Sequence, residues 1–278
     1  MEHSGTPYSY RPKKSLGQNF LTSIPARLAI VGAGNLTSED TVLEIGPGKG
    51  FLTRGLLDSG AKVVALEKDK DLLPVLAETF AAEIASNQLT LIEGDVLEFN
   101  PKEHGLRKGE YKIIANIPYY ITGAILSQFL SSPDHPSQMV VLIQKEVAER
   151  IVARDGKASI LSMSVYAYGT PNIVYRVNKG SFFPVPSVDS AVLSIETISR
   201  AHFTDSYHEA IFFKLVKAGF LHKRKFLLSN IQEVFPTVNI RDLFIEQKLS
   251  EKVRAEDVTL PVWISLAKAL CLATSTAS

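Results

Sequence analysis

Cysteine is almost missing from this 278-residue chain. The single one, Cys271, cannot form an internal disulfide, and thiol catalysis or a cysteine zinc site would need further cysteines near it. A small apolar side chain on a terminal helix is its expected role. Long apolar runs are missing too. The longest are pieces such as MVVLI, far short of the roughly 18 residues of a membrane span. The first residues, MEHSGTPYSYRPKK, lack the apolar core of a secretory signal. The expectation is a protein of the reducing cytoplasm with no membrane contact. An excess of one charge is also absent: 30 Lys and Arg face 29 Asp and Glu, so composition does not announce a nucleic-acid binder. Repeats and low-complexity tracts are not found. With 45% hydrophobic and 21% charged residues, disorder, collagen and coiled coil are excluded as global readings.

What the chain does have is pattern. TVLEIG (41–46), KVVALE (62–67), LTLIEG (89–94), YKIIAN (111–116) and QMVVLIQ (138–144) read as strands. Segments around 51–58, 70–85 and 122–131 suit helices, and 98–110 is polar. Near-continuous apolar strands alternating with helices predict an α/β fold, a parallel sheet covered on both faces. A helical candidate at 158–168 and two β-rich runs, NIVYRV (172–177) and DSAVLSIE (189–196), follow. Beyond a polar linker, 207–278 is helical in pattern, which places a domain boundary near 198–205 and divides the chain into 1–200 and 201–278. Two basic clusters stand out: Arg11, Lys13 and Lys14, and Lys214, Lys217, Lys223, Arg224 and Lys225. Each alone reads as a solvated face.

Open parallel sheets bind ligands at the carboxyl ends of their strands, and the unusual groups fall there. EIGPGKG spaces Gly46, Gly48 and Gly50 so that backbone can bend and approach a ligand. The third glycine comes one residue early for a dinucleotide fingerprint, and Pro47 removes an N–H from a pyrophosphate cradle, so a nicotinamide dehydrogenase is disfavoured. Glu67, at the end of the second strand, suits the two hydroxyls of a ribose. Asp95, after the third, suits an adenine amino group. Together they point to an adenosine-containing ligand without a required pyrophosphate site, and S-adenosylmethionine fits.

NIPYY (116–120) ends the fourth strand. An adenine amine is a poor nucleophile because its lone pair is delocalised into the ring. Two acceptors aimed at its N–H groups localise that pair: the Asn116 amide oxygen and a backbone carbonyl, that of Ile117. Pro118 fixes φ at the corner, and Tyr119 offers a stacking face worth about 1–3 kcal/mol, comparable with the cost of unstacking a base. Tyr120 is assigned no chemistry.

Asn116-Ile117-Pro118-Tyr119 resembles the N-[IL]-P-[YF] motif of ribosomal RNA small-subunit adenine N6-dimethyltransferases of the KsgA type. KKSLGQNFL (13–21) is similar to the family's cofactor-closing segment, VLEIGPGKGFLT (42–53) to its glycine loop, and FFPVPSVDSAV (182–192) to a later motif. Shorter agreements continue in GFLHKRKFLLSN (219–230) and RAEDVTL (254–260). The resemblance implies a Rossmann-like S-adenosylmethionine-dependent methyltransferase sheet with a smaller C-terminal all-helical domain that contacts RNA and the ribosome. It also implies that Asn19 and Leu21 close over the cofactor with Gly46 and Gly48, that Glu67 holds the ribose and Asp95 the adenine, and that Asn116 lies between cofactor and target amine. Tyr119 and Phe183 would clasp the target adenine. The implied reaction dimethylates N6 of two adjacent adenosines in the 3′-terminal hairpin loop of small-subunit rRNA, within an assembling subunit, with no metal and a monomeric enzyme.

With RNA as the implied substrate, Lys217, Lys223, Arg224 and Lys225 become phosphate contacts; if 207–228 were one helix, Lys214, Lys217, Arg224 and Lys225 would share an arc of about 100°, with Lys223 opposite. Ser187 stands where the family often has lysine. Two other readings share these motifs: a large-subunit rRNA adenine methyltransferase of the antibiotic-resistance type, and an assembly or transcription factor that retains the fold.

Overall fold

Strands of near-continuous apolar sequence are stable only where both faces are covered. In the computed structural model, which describes residues 10–275, the predicted runs meet that condition. The strands in chain order are β1 (Phe20–Leu21), β2 (Thr41–Ile45), β3 (Lys62–Glu67), β4 (Leu89–Glu93), β5 (Tyr111–Asn116), β6 (Gln138–Gln144), β7 (Thr170–Val177), β8 (Phe182–Phe183) and β9 (Ser190–Glu196). Seven of them form one sheet in the order β4-β3-β2-β5-β6-β9-β7. From β4 to β6 neighbours run parallel, whereas β9 is antiparallel to both β6 and β7. Val42 and Leu43 point to opposite faces, and both are fully buried.

The helices are α1 (Ile24–Ala33), α2 (Phe51–Asp58), α3 (Leu73–Thr79), α4 (Ala81–Ala85), α5 (Thr122–Leu130), α6 (Lys145–Ile151), α7 (Ile160–Tyr166), α8 (Ser206–Gly219), α9 (Leu227–Val234), α10 (Ile240–Glu246) and α11 (Leu260–Ser275). One apolar core, with Ile30, Val42 and Leu56, lies on the α1–α2 side of the sheet. The other, with Leu43, Ile113 and Phe129, continues without a break to Phe212 and Trp263 in the C-terminal helical part. No helix among the described residues is long and apolar enough to cross a membrane.

Sheet order positions the site. The chain builds outward from β2 to β3 and β4, then returns to lay β5 on the other edge of β2. That reversal opens a crevice at the carboxyl ends of β2 and β5, where ligands of such sheets bind.

Several elements differ from the sequence pattern. The stretch 70–85 is two helices, α3 and α4, broken at Phe80 (φ −117°, ψ 29°), whose ring is buried beneath Gly50. Helix α1 was not anticipated, although Ser23 caps it by accepting from the Ala26 N–H and Pro25 sits in its first turn. Nor was 207–228 one helix. At Gly219 a Cβ would come within 2.4 Å of the Trp263 ring, and the chain turns there. Asn230 Nδ2 closes the turn by donating to the carbonyls of Gly219 (2.7 Å) and His222 (3.1 Å), acceptors that a helix end leaves unpaired. The expected arc of Lys214, Lys217, Arg224 and Lys225, with Lys223 opposite, is therefore corrected: Lys214 and Lys217 ride on α8, and Lys223, Arg224 and Lys225 on the turn after it.

Candidate active site

A cavity of about 560 Å³ opens at the crevice, within the size range of small-molecule sites. Its floor is the loop between β2 and α2. Gly46, Gly48 and Gly50 have φ of +68°, +60° and +80°, which L side chains rarely adopt. Their surroundings differ. A Cβ at Gly46 would meet nothing within 4 Å, because that position faces the open cavity. At Gly48 it would come 2.9 Å from the Phe20 ring, and at Gly50 2.4 Å from the Phe80 ring. Gly46 thus leaves room for a ligand, while the other two let the chain pack on itself.

Two carboxyl groups lie beneath this loop. Glu67, at the end of β3, is 5% exposed; its Oε2 accepts from the Gly48 N–H at 3.0 Å and its Oε1 from the Asp69 N–H at 2.8 Å. Burial raises its pKa, and these backbone donors counter that in part. The loop and the acid are therefore fixed to each other before any ligand arrives. Glu44, inside β2, was not singled out from the sequence, although an acid within an apolar buried strand is a visible anomaly. It is 1% exposed and lines the cavity. Burial lifts its pKa to about 8; the neighbouring Thr53 hydroxyl counters this and the Glu67 carboxylate adds to it. Neither Glu44 Oε2 nor Thr53 Oγ1 completes a hydrogen bond.

The raised Glu44 pKa has a pH signature. Between about pH 4.3, where an ordinary glutamate ionises, and about pH 8, unfolding releases the proton that folded Glu44 retains. Stability from this group is thus present at low pH and is lost as pH rises to about 8, levelling off above it. Thermal unfolding of wild type and Glu44→Gln across this range is expected to show a stability difference that grows in favour of the variant by a few kcal/mol, at 1.36 kcal/mol per pKa unit. A pH-independent difference would contradict the assignment.

Asp95 follows β4. Gly94 and Val96 line the cavity, and Asp95 between them does not. Its carboxylate accepts from Lys68 Nζ at 2.6 Å and from the Leu97 N–H at 3.1 Å, and the Lys68 ammonium holds its pKa low. To reach an adenine amine in the cavity, this carboxylate would have to turn inward from its place outside the lining.

The β5 corner faces the loop. Asn116 Nδ2 donates to the Asn19 carbonyl at 3.0 Å, an orientation assigned from the hydrogen-bond network that leaves Oδ1 as the free acceptor. Ile117 is buried beside it, Pro118 has φ −59°, and both line the cavity. Tyr119 is half-buried, and its hydroxyl lies 2.7 Å from Ser190 Oγ at the start of β9, a contact that anchors the tip of the ring. Burial raises its pKa, so the phenol stays neutral. Of the two adjacent phenylalanines, Phe182 is 3% exposed in the core and Phe183 is 61% exposed on the cavity wall.

Asn19 and Leu21 reach the cavity from the segment before α1. There β1 pairs antiparallel with β8, setting Phe20 opposite Phe183 and Leu21 opposite Phe182. The Asn19 side chain donates to the Gly17 carbonyl at 3.2 Å. Tyr120 also touches this segment: a Cβ at Gly17 would come 3.0 Å from its ring. Asn19, Leu21, Gly46, Gly48, Glu67, Asn116, Ile117, Pro118, Tyr119 and Phe183 are thus brought to one cavity.

The basic candidates are not at this cavity. Lys223 and Lys225 line a second cleft, of about 630 Å³, with Arg150, Arg154 and Lys157. Lys225 lies 3.4 Å from Glu233, and Lys157 is paired with Glu256 at 2.5 Å. Lys217 and Arg224 line neither.

The family model described as "Ribosomal RNA adenine dimethylase" matches residues 10–271. A curated relative from Dehalococcoides mccartyi, named ribosomal RNA small subunit methyltransferase A, is 39% identical over 267 residues, covering 95% of this chain and 89% of its own. A dimethyladenosine transferase from Plasmodium falciparum superposes with a TM-score of 0.77 at 24% identity, covering 92% of this chain and 98% of the other. The 23S rRNA methyltransferase ErmE does so with a TM-score of 0.74 at 23% identity, covering 91% and 100%. At these identities the two solved structures show a shared fold alone.

Proposed function

The chain belongs to the ribosomal RNA adenine dimethylase family, and from that premise we propose that it transfers methyl groups from S-adenosylmethionine to N6 of adenosines in small-subunit rRNA. Two adjacent adenosines of the 3′-terminal hairpin loop each receive two methyl groups. The substrate is an assembling small subunit in the cytoplasm, and the enzyme acts as a monomer. The observation that carries this reading is Asn116, with its amide nitrogen tied to the Asn19 carbonyl and its oxygen left as an acceptor beside the glycine loop.

The residues present fit the cofactor. Gly46 leaves open space in the cavity floor, and Glu67 keeps acceptor capacity beyond the two backbone donors it already holds. Glu67 would take the ribose hydroxyls, Asn19, Leu21 and Gly48 would enclose the ligand, and Asp95 would take the adenine once turned toward the cavity. When bound, this cofactor supplies an electrophilic methyl group on a sulfonium.

The chain supplies orientation. Tyr119, held by Ser190, and the exposed Phe183 form two faces for an unstacked base. Asn116 Oδ1 and the Ile117 carbonyl accept from the two N–H groups of the target amine and turn its lone pair toward the methyl group. Neither has to act as a strong base, since the proton leaves to solvent after the methyl has moved. A monomethylated amine keeps one N–H, so one acceptor suffices for the second transfer.

Residues 1–200 carry this chemistry, and 201–278 supply RNA contacts through Lys217, Lys223, Arg224 and Lys225. The cleft that sets Lys223 and Lys225 beside Arg150 and Arg154 is of mixed charge, lined also by Glu146, Glu149, Asp155 and Glu256. The test is methyl transfer from labelled S-adenosylmethionine to small subunits from cells lacking the modification. Mass spectrometry should find dimethyladenosine at two adjacent positions of small-subunit rRNA. Label confined to large-subunit rRNA, or no transfer by folded protein, would sink the proposal.

A further inference from the structure

The segment that reaches over the cavity is held at its outer end by one buried acid. Asp69 follows Glu67 by two residues, and its side chain is fully buried. Its Oδ1 lies 2.6 Å from Lys13 Nζ, and its Oδ2 accepts from Gln18 Nε2 at 2.8 Å and from the Tyr10 hydroxyl. All three partners belong to the segment before α1. Within that segment, Gln18 Oε1 accepts from the Lys13 N–H at 2.7 Å, which closes the loop on itself. Lys13 also pairs with Asp71 at 2.7 Å. Lys49, from the glycine loop, places its ammonium 5.6 Å from the Tyr10 ring centroid and 5.4 Å from that of Phe20. The first basic cluster is thus not merely a solvated face, because the half-exposed Lys13 reaches in to the buried Asp69.

The other end of the segment delivers the Asn19 carbonyl to Asn116 Nδ2. The Asp69 N–H, for its part, is bonded to Glu67. We infer that Asp69 is a positioning residue: it anchors residues 10–21 over the cavity, and through the Asn19 carbonyl it sets which way the Asn116 amide faces. This deepens the proposed methyl transfer and rests on that reading. Without the anchor, the Asn19 carbonyl is not held in place and the Asn116 amide can rotate, turning N–H groups toward an amine that needs acceptors.

Asp69→Asn keeps the shape and loses the charge that Lys13 meets. Its dissociation constant for S-adenosylmethionine is expected to rise about tenfold, the scale of one charge-assisted hydrogen bond, and its turnover at saturating cofactor to fall similarly. Amide hydrogen exchange of residues 16–22 in the unliganded protein should quicken while the melting temperature changes little. A merely structural acid would lower the melting temperature and leave the segment's relative protection and the cofactor affinity of the folded protein alone. Lys13→Met, at a half-exposed site, should show the same pattern, and the double variant should be no worse than the worse single. If Asp69→Asn fails to fold, Lys13→Met decides. A folded variant with wild-type exchange in 16–22, affinity and turnover overturns the inference. Because exchange is read without cofactor, failure of the anchor is distinguishable from failure of the methyltransferase reading, which wild-type protein unable to bind S-adenosylmethionine would reveal.

Discussion

Asn116→Ala is expected to lose about 10²- to 10³-fold in turnover, the scale found when one preorganised hydrogen-bonding group at a reaction centre is removed. The side chain has two duties that the experiment can separate. Its nitrogen donates to the Asn19 carbonyl at 3.0 Å, and its oxygen is the acceptor proposed for the target amine. Loss of the first duty loosens the cofactor-closing segment and shows as weaker cofactor binding. Loss of the second shows in turnover at saturating cofactor. Since the first methyl transfer uses both acceptors and the second only one, the deficit falls on the first, and monomethyladenosine should not accumulate. Single-turnover rates with analysis of both products check this. Unchanged turnover would refute the lone-pair account.

Glu67→Ala should weaken S-adenosylmethionine binding by about 10²- to 10⁴-fold, because two charge-assisted hydrogen bonds proposed to the ribose are lost at about 1.5–3 kcal/mol each. The substitution also removes the acceptor for the Gly48 and Asp69 N–H groups, so the glycine loop loses its tie to β3. The effect belongs to KM for the cofactor, with turnover at saturation much less affected, as expected for binding shared by ground and transition states. Calorimetric titration and the cofactor-induced rise in melting temperature are the readouts. Retained cofactor stabilisation in the variant would remove Glu67 from the site.

Much of this arrangement was legible in the sequence because it lies on strand ends. The runs before Gly46, Glu67, Gly94 and Asn116 are apolar enough to be strands, and their order alone directs attention to the residues that follow them. Phe183 was legible through the family resemblance, and it lines the cavity whereas the adjacent Phe182 is buried in the core. What was hidden is whatever depends on partners distant in sequence. Lys13 looked like one charge of a basic cluster until Asp69 was found beside it. Ser190 has no local signal that it meets the Tyr119 hydroxyl. The helix expected across 207–228 ends at Gly219, where the Trp263 ring leaves no room for a side chain, and no window around Gly219 contains that fact. Tyr120 is explained by Gly17, which lies far from it in the chain.

The short ladder between β1 and β8 ties residue 20 to residue 183. During synthesis the first of these emerges long before the second, so a nascent chain cannot complete its cofactor cavity until roughly two thirds of it has left the ribosome. Contacts of such separation carry a loop-closure cost that is met late in folding. A complete cofactor cavity therefore requires at least the first two thirds of the chain, and a half-translated chain lacks the strand that closes it.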